Sequence, residues 1–245
     1  MSTRIKLTLS YDGTSFCGWQ KQKNGVSVQG AVEGAIFALT GERVSVIGSG
    51  RTDAGVHAKG QVASFDTGAN IPPDKFYKAL NTVLPDGVKA LSSEKVSDDF
   101  NANRTAKRKT YEYSLYISDV EEPLKERYMT RVYGQIDVIK MRSAAKILEG
   151  EHDFKAFSAT GSSVKTTVRK VYGIDVCQSG ADIKISVCGN GFLYNMVRII
   201  AGALVKIGKG EITESDILKA LKTGDRTLLG ETLPAKGLCL LKVEY

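Results

Sequence analysis

Gly48-Ser49-Gly50-Arg51-Thr52-Asp53-Ala54-Gly55-Val56-His57 is the stretch that decides how the first half of the chain is arranged. It lies where one predicted strand, Val44–Ser49, gives way to another, Gln61–Thr67, so a glycine-rich loop should present its side chains at a sheet edge. Before it, Arg4–Tyr11 alternates, with Ile5, Leu7, Leu9 and Tyr11 on one side and Lys6, Thr8 and Ser10 on the other: a half-buried strand. Val28, Val32, Ile36 and Leu39 recur at helical spacing within Val28–Thr40, and Gly41 stops that helix. After the loop, Pro73–Val83 predicts a short helix opened by proline, with Phe76, Leu80 and Val83 on one face. Val88–Val96 is a further strand. Strand, helix, strand, strand, helix, strand is the split βαβ, or ferredoxin-like, arrangement.

The second half gives strands at Lys109–Ile117, Val168–Val176, Ile183–Val187 and Leu238–Glu244, and helices at Val138–Leu148, Leu193–Ile207 and Ser215–Leu221. Apart from one extra helix, the order repeats. The basic run Arg104 to Lys109 marks a boundary between the repeats, so halves at 1–105 and 106–245 are expected, the first carrying Asp53. The fold class is α+β, with two ferredoxin-like halves whose sheets join around a central cleft.

A chain of 245 residues can bury a real core, and 42% apolar with 25% charged residues is ordinary for a globular protein. A net charge of +7 favours a polyanionic partner such as nucleic acid. The four cysteines, Cys17, Cys177, Cys188 and Cys239, have no metal-knuckle spacing, and His57 and His152 do not supply the missing ligands. Met1-Ser2-Thr3-Arg4-Ile5-Lys6 has no apolar core and does not read as a secretory signal. Met196 to Val205, the longest near-apolar run, carries Arg198 and is too short to span a bilayer. A cytoplasmic protein with reduced thiols is expected.

The 48–57 loop is not a dinucleotide fingerprint, since Asp53 stands at the third glycine position and no helix follows; it also lacks the Gly-Lys-Ser/Thr ending of a P-loop. Arg51 and Asp53 are two apart and point the same way in an extended stretch. A cation and an anion on one side, with glycines permitting close backbone approach, suit a site that handles a nucleotide. The alternative is a turn in which Asp53 caps backbone amides. A Ser/His/Asp triad has no support, and His152, in Gly150-Glu151-His152-Asp153-Phe154, reads as structural. Arg198 interrupts an apolar helix; it lies either on an exposed stripe or buried against a carboxylate from the other half. Tyr111, Tyr113 and Tyr116 follow Arg108-Lys109, either as packing residues or as a stacking platform for a base beside phosphate-binding cations.

The run Gly50-Arg51-Thr52-Asp53-Ala54-Gly55-Val56-His57 closely resembles the catalytic motif of the tRNA pseudouridine synthase A family. Other stretches agree with that family in order and spacing: Tyr11-Asp12-Gly13 with Gly18-Trp19-Gln20, Arg108-Lys109-Thr110-Tyr111, His152-Asp153-Phe154, Asn195-Met196-Val197-Arg198 and Pro234-Ala235-Lys236-Gly237-Leu238. The resemblance implies a homodimer that isomerises uridine to pseudouridine at positions 38, 39 and 40 of the tRNA anticodon stem-loop, with no metal or organic cofactor and RNA contacts from both subunits. It implies that Asp53 is the catalytic aspartate, that Arg51 assists base flipping and that Tyr111 stacks on the target uracil. It further implies that Arg198 pairs with the aspartate and that Leu238 packs against the base. Asp53 must be ionised whether it attacks C1′ or removes a ribose proton, and an arginine partner would favour that state.

Overall fold

A computed structural model of the chain describes residues 2–23, 25–159, 161 and 164–245. Strand β1 (Thr3–Tyr11) buries Ile5, Leu7, Leu9 and Tyr11, the face its alternation predicts. It pairs antiparallel with β3 (His57–Thr67) on one side and with β4 (Val88–Lys95) on the other, and β2 (Ile47–Gly48) pairs antiparallel with β3. That order and those strand senses are those of a ferredoxin-like sheet. Helix α1 (Val28–Thr40) begins where Ser27 Oγ accepts from Gly30 N at 3.2 Å and ends at Gly41, φ +75°.

Two elements are shorter than their sequence predicts. The strand expected over Val44–Ser49 is only Ile47–Gly48, because side chains of α1 take the backbone groups a ladder needs: Val46 N donates to Glu33 Oε1 at 3.2 Å and Gln29 Nε2 donates to Val46 O at 3.0 Å. The helix expected over Pro73–Val83 is α2 (Phe76–Leu80). Phe76 and Leu80 are buried, whereas Val83 is 39% exposed. Asn81 stops the helix by pairing both ways with the backbone of Ala90 in β4, Nδ2 to O and N to Oδ1, each 2.8 Å.

The chain divides into two compact units, Met1–Lys107 with Leu240–Tyr245, and Arg108–Cys239. The C-terminal residues return to the first unit because Lys107 N donates to Glu244 O at 2.8 Å, Tyr245 Oη donates to Ala102 O at 2.7 Å, and the Tyr245 ring packs on Phe100.

In the second unit, β5 (Arg108–Ile117), β9 (Asp182–Gly189), β8 (Val168–Ser179) and β7 (Gly150–Asp153) lie side by side, each neighbouring pair antiparallel. The first residues of β10 (Leu238–Glu244), Leu238 and Cys239, belong to this unit on the β5 side. With α3 (Val138–Ile147) and α4 (Met196–Lys209) as the connecting helices, this is the ferredoxin-like order again. It is elaborated by β7, by α5 (Glu214–Thr223) and by β6 (Thr130–Val132), which runs parallel to β5. Helix α4 is apolar nearly all round and is buried accordingly. It starts at Met196, not Leu193, because Asn195 at φ +61° breaks helical geometry. His152 is on β7, where its Nε2 meets Glu149 O at 2.8 Å, a local packing role.

Candidate active site

Asp53 and Arg51 lie in the first unit. Ser49 N donates to Val62 O at 2.7 Å, which ties the start of the loop to β3. Gln61, fully buried, then holds the loop from beneath: its Oε1 accepts from Ser49 Oγ at 2.6 Å and its Nε2 donates to Gly50 O at 3.0 Å. Thr52 is buried, with its Oγ1 2.8 Å from Tyr11 Oη. Arg51 stays exposed and Asp53 half-buried, so the extended run turns Thr52 inward between two less buried side chains. Val56 N donates to Asp53 O at 3.1 Å and Gly55 takes φ +80°, closing a turn immediately after the aspartate.

The Tyr11–Gln20 segment clamps this loop. Trp19 N donates to Thr52 O at 3.0 Å. A Cβ on Gly13 would stand 2.1 Å from Val56 O, and one on Gly18, already at φ +103°, would stand 2.6 Å from Thr52 O. The two glycines are thus needed for backbone to meet backbone behind Asp53. His57 is the first residue of β3, not part of the loop; its Nδ1 accepts from Gly13 N at 3.1 Å and lies 3.2 Å from Asp12 Oδ1. It secures the clamp.

Tyr111, Arg198 and Leu238 lie in the second unit. Of the three tyrosines on β5, Tyr113 and Tyr116 are wholly buried core residues. Burial pushes the Tyr113 phenol well above its ordinary range, and its Oη donates to Pro234 O at 2.6 Å and lies 2.7 Å from Thr130 Oγ1. Tyr111, 7% exposed, meets Phe192 edge to face at 5.3 Å. Arg198 is half-buried on the first turn of α4, donating from Nε to Leu233 O and from a terminal nitrogen to Asn195 Oδ1, each at 2.7 Å. Leu238, 6% exposed, follows a turn at Ala235–Gly237 that packs on Tyr113: a Cβ at Gly237 would be 2.7 Å from that ring. Arg198 and Tyr113 therefore fix the carbonyls of Leu233 and Pro234, and with them the segment that delivers Leu238.

Sequence reasoning named the five candidates, gave Tyr113 as one of three packing or stacking tyrosines and placed Tyr11 and Trp19 in motifs, but did not assign Ser49, Thr52 and Gln61 their supporting contacts. Thr52 was findable, since it alternates with Arg51 and Asp53. Gln61 carried no signal, because a glutamine at a strand start is ordinarily solvated. Among the described residues, no group of three or more His, Cys, Asp or Glu side chains is placed to hold a metal, and no helix is long and apolar enough to cross a membrane.

The chain matches the family model described as tRNA pseudouridine synthase over residues 8–103 and 144–245. It is 46% identical to tRNA pseudouridine synthase A of Clostridium acetobutylicum over 241 residues, 98% of this chain and 99% of that relative. It is also 46% identical to tRNA pseudouridine synthase A of Ruminiclostridium cellulolyticum, over 99% of both chains. Among solved structures, a chain of a Cbf5–Nop10–Gar1 complex overlaps at a TM-score of 0.41 with 16% identity, over 96% of this chain and 48% of that one, too weak a likeness to carry an argument.

Proposed function

The chain belongs to the tRNA pseudouridine synthase family, and from that membership we propose how its own residues isomerise uridine to pseudouridine at positions 38, 39 and 40 of the tRNA anticodon stem-loop. The enzyme is an isomerase acting on uridine in tRNA. The bond from C1′ to uracil N1 breaks, the base turns, C5 bonds to C1′, and the C5 proton leaves as N1 gains one. No electrons are gained or lost overall.

Asp53 is the reacting carboxylate. The observation that carries this assignment is its setting: a half-buried aspartate beside an exposed arginine, on a loop held from behind by Tyr11, Thr52 and Gln61. A carboxylate so fixed needs little reorganisation to meet a sugar carbon. The target base must first leave its stack, at a cost of about a few kcal/mol. Arg51 fills the vacated space and meets phosphate, Tyr111 holds the extruded ring by its π-face, and Leu238 packs against it. Arg198 pairs with Asp53 and favours its ionised form. The same reading makes the protein a cytoplasmic homodimer whose two subunits share the RNA contacts.

Nucleotide-resolution mapping of pseudouridine in unmodified tRNA transcripts tests the substrate assignment. Modification at 38 to 40 by wild type and none by Asp53→Ala is the expected pattern. Modification confined to other uridines would replace the substrate, and equal modification by both proteins would remove Asp53 from the chemistry.

A further inference from the structure

Leu238 follows the turn Ala235–Gly237, and that turn is fixed at three points within the second unit. Tyr113 Oη donates to Pro234 O just before it, and the Tyr113 ring lies against Gly237 at its end. The third point is a side chain of the turn itself. Lys236 Nζ donates to Glu126 Oε2, 110 residues earlier, in the connection between β5 and β6.

Glu126 is itself anchored. Its Oε1 accepts from Tyr116 Oη, and that hydroxyl oxygen accepts in turn from Glu122 N at 3.2 Å; the Tyr116 side chain is wholly buried. Residues 122–129 wind into helical turns, with Glu126 N donating to Glu122 O at 3.0 Å and Met129 N to Lys125 O at 2.9 Å. Lys125 Nζ reaches Asp182 Oδ1, on the first residue of β9, at 2.8 Å. Thr130, where β6 begins, has its Oγ1 2.7 Å from Tyr113 Oη. The carboxylate is thus referred to the same sheet that carries Tyr111. Lys236, and after it the Tyr116 hydroxyl, hold Glu126 below the ordinary carboxylate range, so it is ionised at neutral pH.

The side chains of Lys236 and Glu126 are 35% and 25% exposed, and a pair in such contact with water contributes little to folding. Orientation is a different matter, because a small displacement beside a reacting group costs far more in rate than in stability. Only Gly237, seated on the Tyr113 ring, separates Lys236 from Leu238. We propose that Glu126 and Lys236 are a positioning pair that sets where Leu238 stands against the target base. The inference rests on the reading of Leu238 as the residue that packs on that base. Neither member touches substrate; both act through the turn.

The test is single-turnover pseudouridine formation on one saturating, in vitro transcribed tRNA, with binding and melting measured on the same proteins. Lys236→Met and Glu126→Gln should each slow the reaction about tenfold, and the double variant should be no slower than the slower single. Binding should stay within about twofold of wild type and melting within about 3 °C. Lys236→Arg, which keeps a cation for Glu126, should recover most of the rate. A wild-type rate in either single variant overturns the pair, even with a lowered melting temperature, since its role would then be structural alone. Losses that multiply in the double variant overturn it too. So does weakened tRNA binding by Lys236→Met at an unchanged saturated rate, which would make the lysine a phosphate ligand. Leu238→Ala is run in parallel: a wild-type rate there removes the parent reading, whereas a slow Leu238→Ala beside wild-type rates in the pair variants removes the pair alone.

Discussion

Arg198 holds two segments of the second unit together. Its guanidinium spans from Asn195, whose left-handed backbone starts α4, to the Leu233 carbonyl five residues before Leu238. Replacing it with leucine leaves both acceptors without these donors, at a cost of about 1–3 kcal/mol for each buried group left unsatisfied. Arg198→Leu should therefore lower the melting temperature by several degrees, about 2–4 °C per kcal/mol for a chain of this size. Pseudouridine formation should fall further than the stability loss explains, since the proposed partner of Asp53 is lost as well. Unchanged turnover and melting would remove both roles. On the same scale, Gly13 and Gly18 show why a short motif upstream of the loop matters: each admits the backbone of 52–56 where a side chain would collide.

At the scale of elements, Tyr113 connects β5 to the turn before β10. Its hydroxyl donates to Pro234 O and its ring lies against Gly237, so the position of Leu238 depends on it. Tyr113→Phe keeps the ring and loses the hydroxyl; about 1–2 kcal/mol of destabilisation is expected in urea unfolding, with unchanged m, and an unchanged midpoint would refute the link. The strands and helices with a strong period were legible in the sequence. α1 matches its expected span of Val28–Thr40 and β10 its span of Leu238–Glu244, because apolar spacing and a terminal glycine suffice to define them. What was not legible depended on long-range partners. Glu33 and Gln29 on α1 shorten the strand before the loop, Asn81 ends α2 on β4, and β6 and β7 exist through pairing with β5 and β8. The candidate residues stood out through motif and charge, whereas Gln61 became visible only with its hydrogen-bond partners in place.

At the scale of the whole molecule, each unit carries a carboxylate held low by a cation. The Arg4 guanidinium, through its hydrogen bonds, holds Asp66 below the usual range in the first unit; Lys236, and then the Tyr116 hydroxyl, do so for Glu126 in the second. A folded-state value below the unfolded one contributes stability that is present above the ordinary carboxylate range and lost as pH falls through the folded value. Melting temperature should thus hold steady from neutral pH down to about 5 and decline below about 4. Glu126→Gln should shrink that decline; an acid limb identical to wild type would show that this pair does not contribute. Both pairs are partly exposed, so their share is modest.

The claim on which the account depends is that the Asp53 carboxylate reacts, and the C5 proton gives a direct readout. With tRNA tritiated at uracil C5, isomerisation releases the label to water when C5 joins C1′. Under single-turnover conditions wild type should release it, while Asp53→Asn should release it about a thousandfold or more slowly and bind the tRNA with affinity close to wild type. Release by Asp53→Asn at a rate near wild type would contradict the assignment outright.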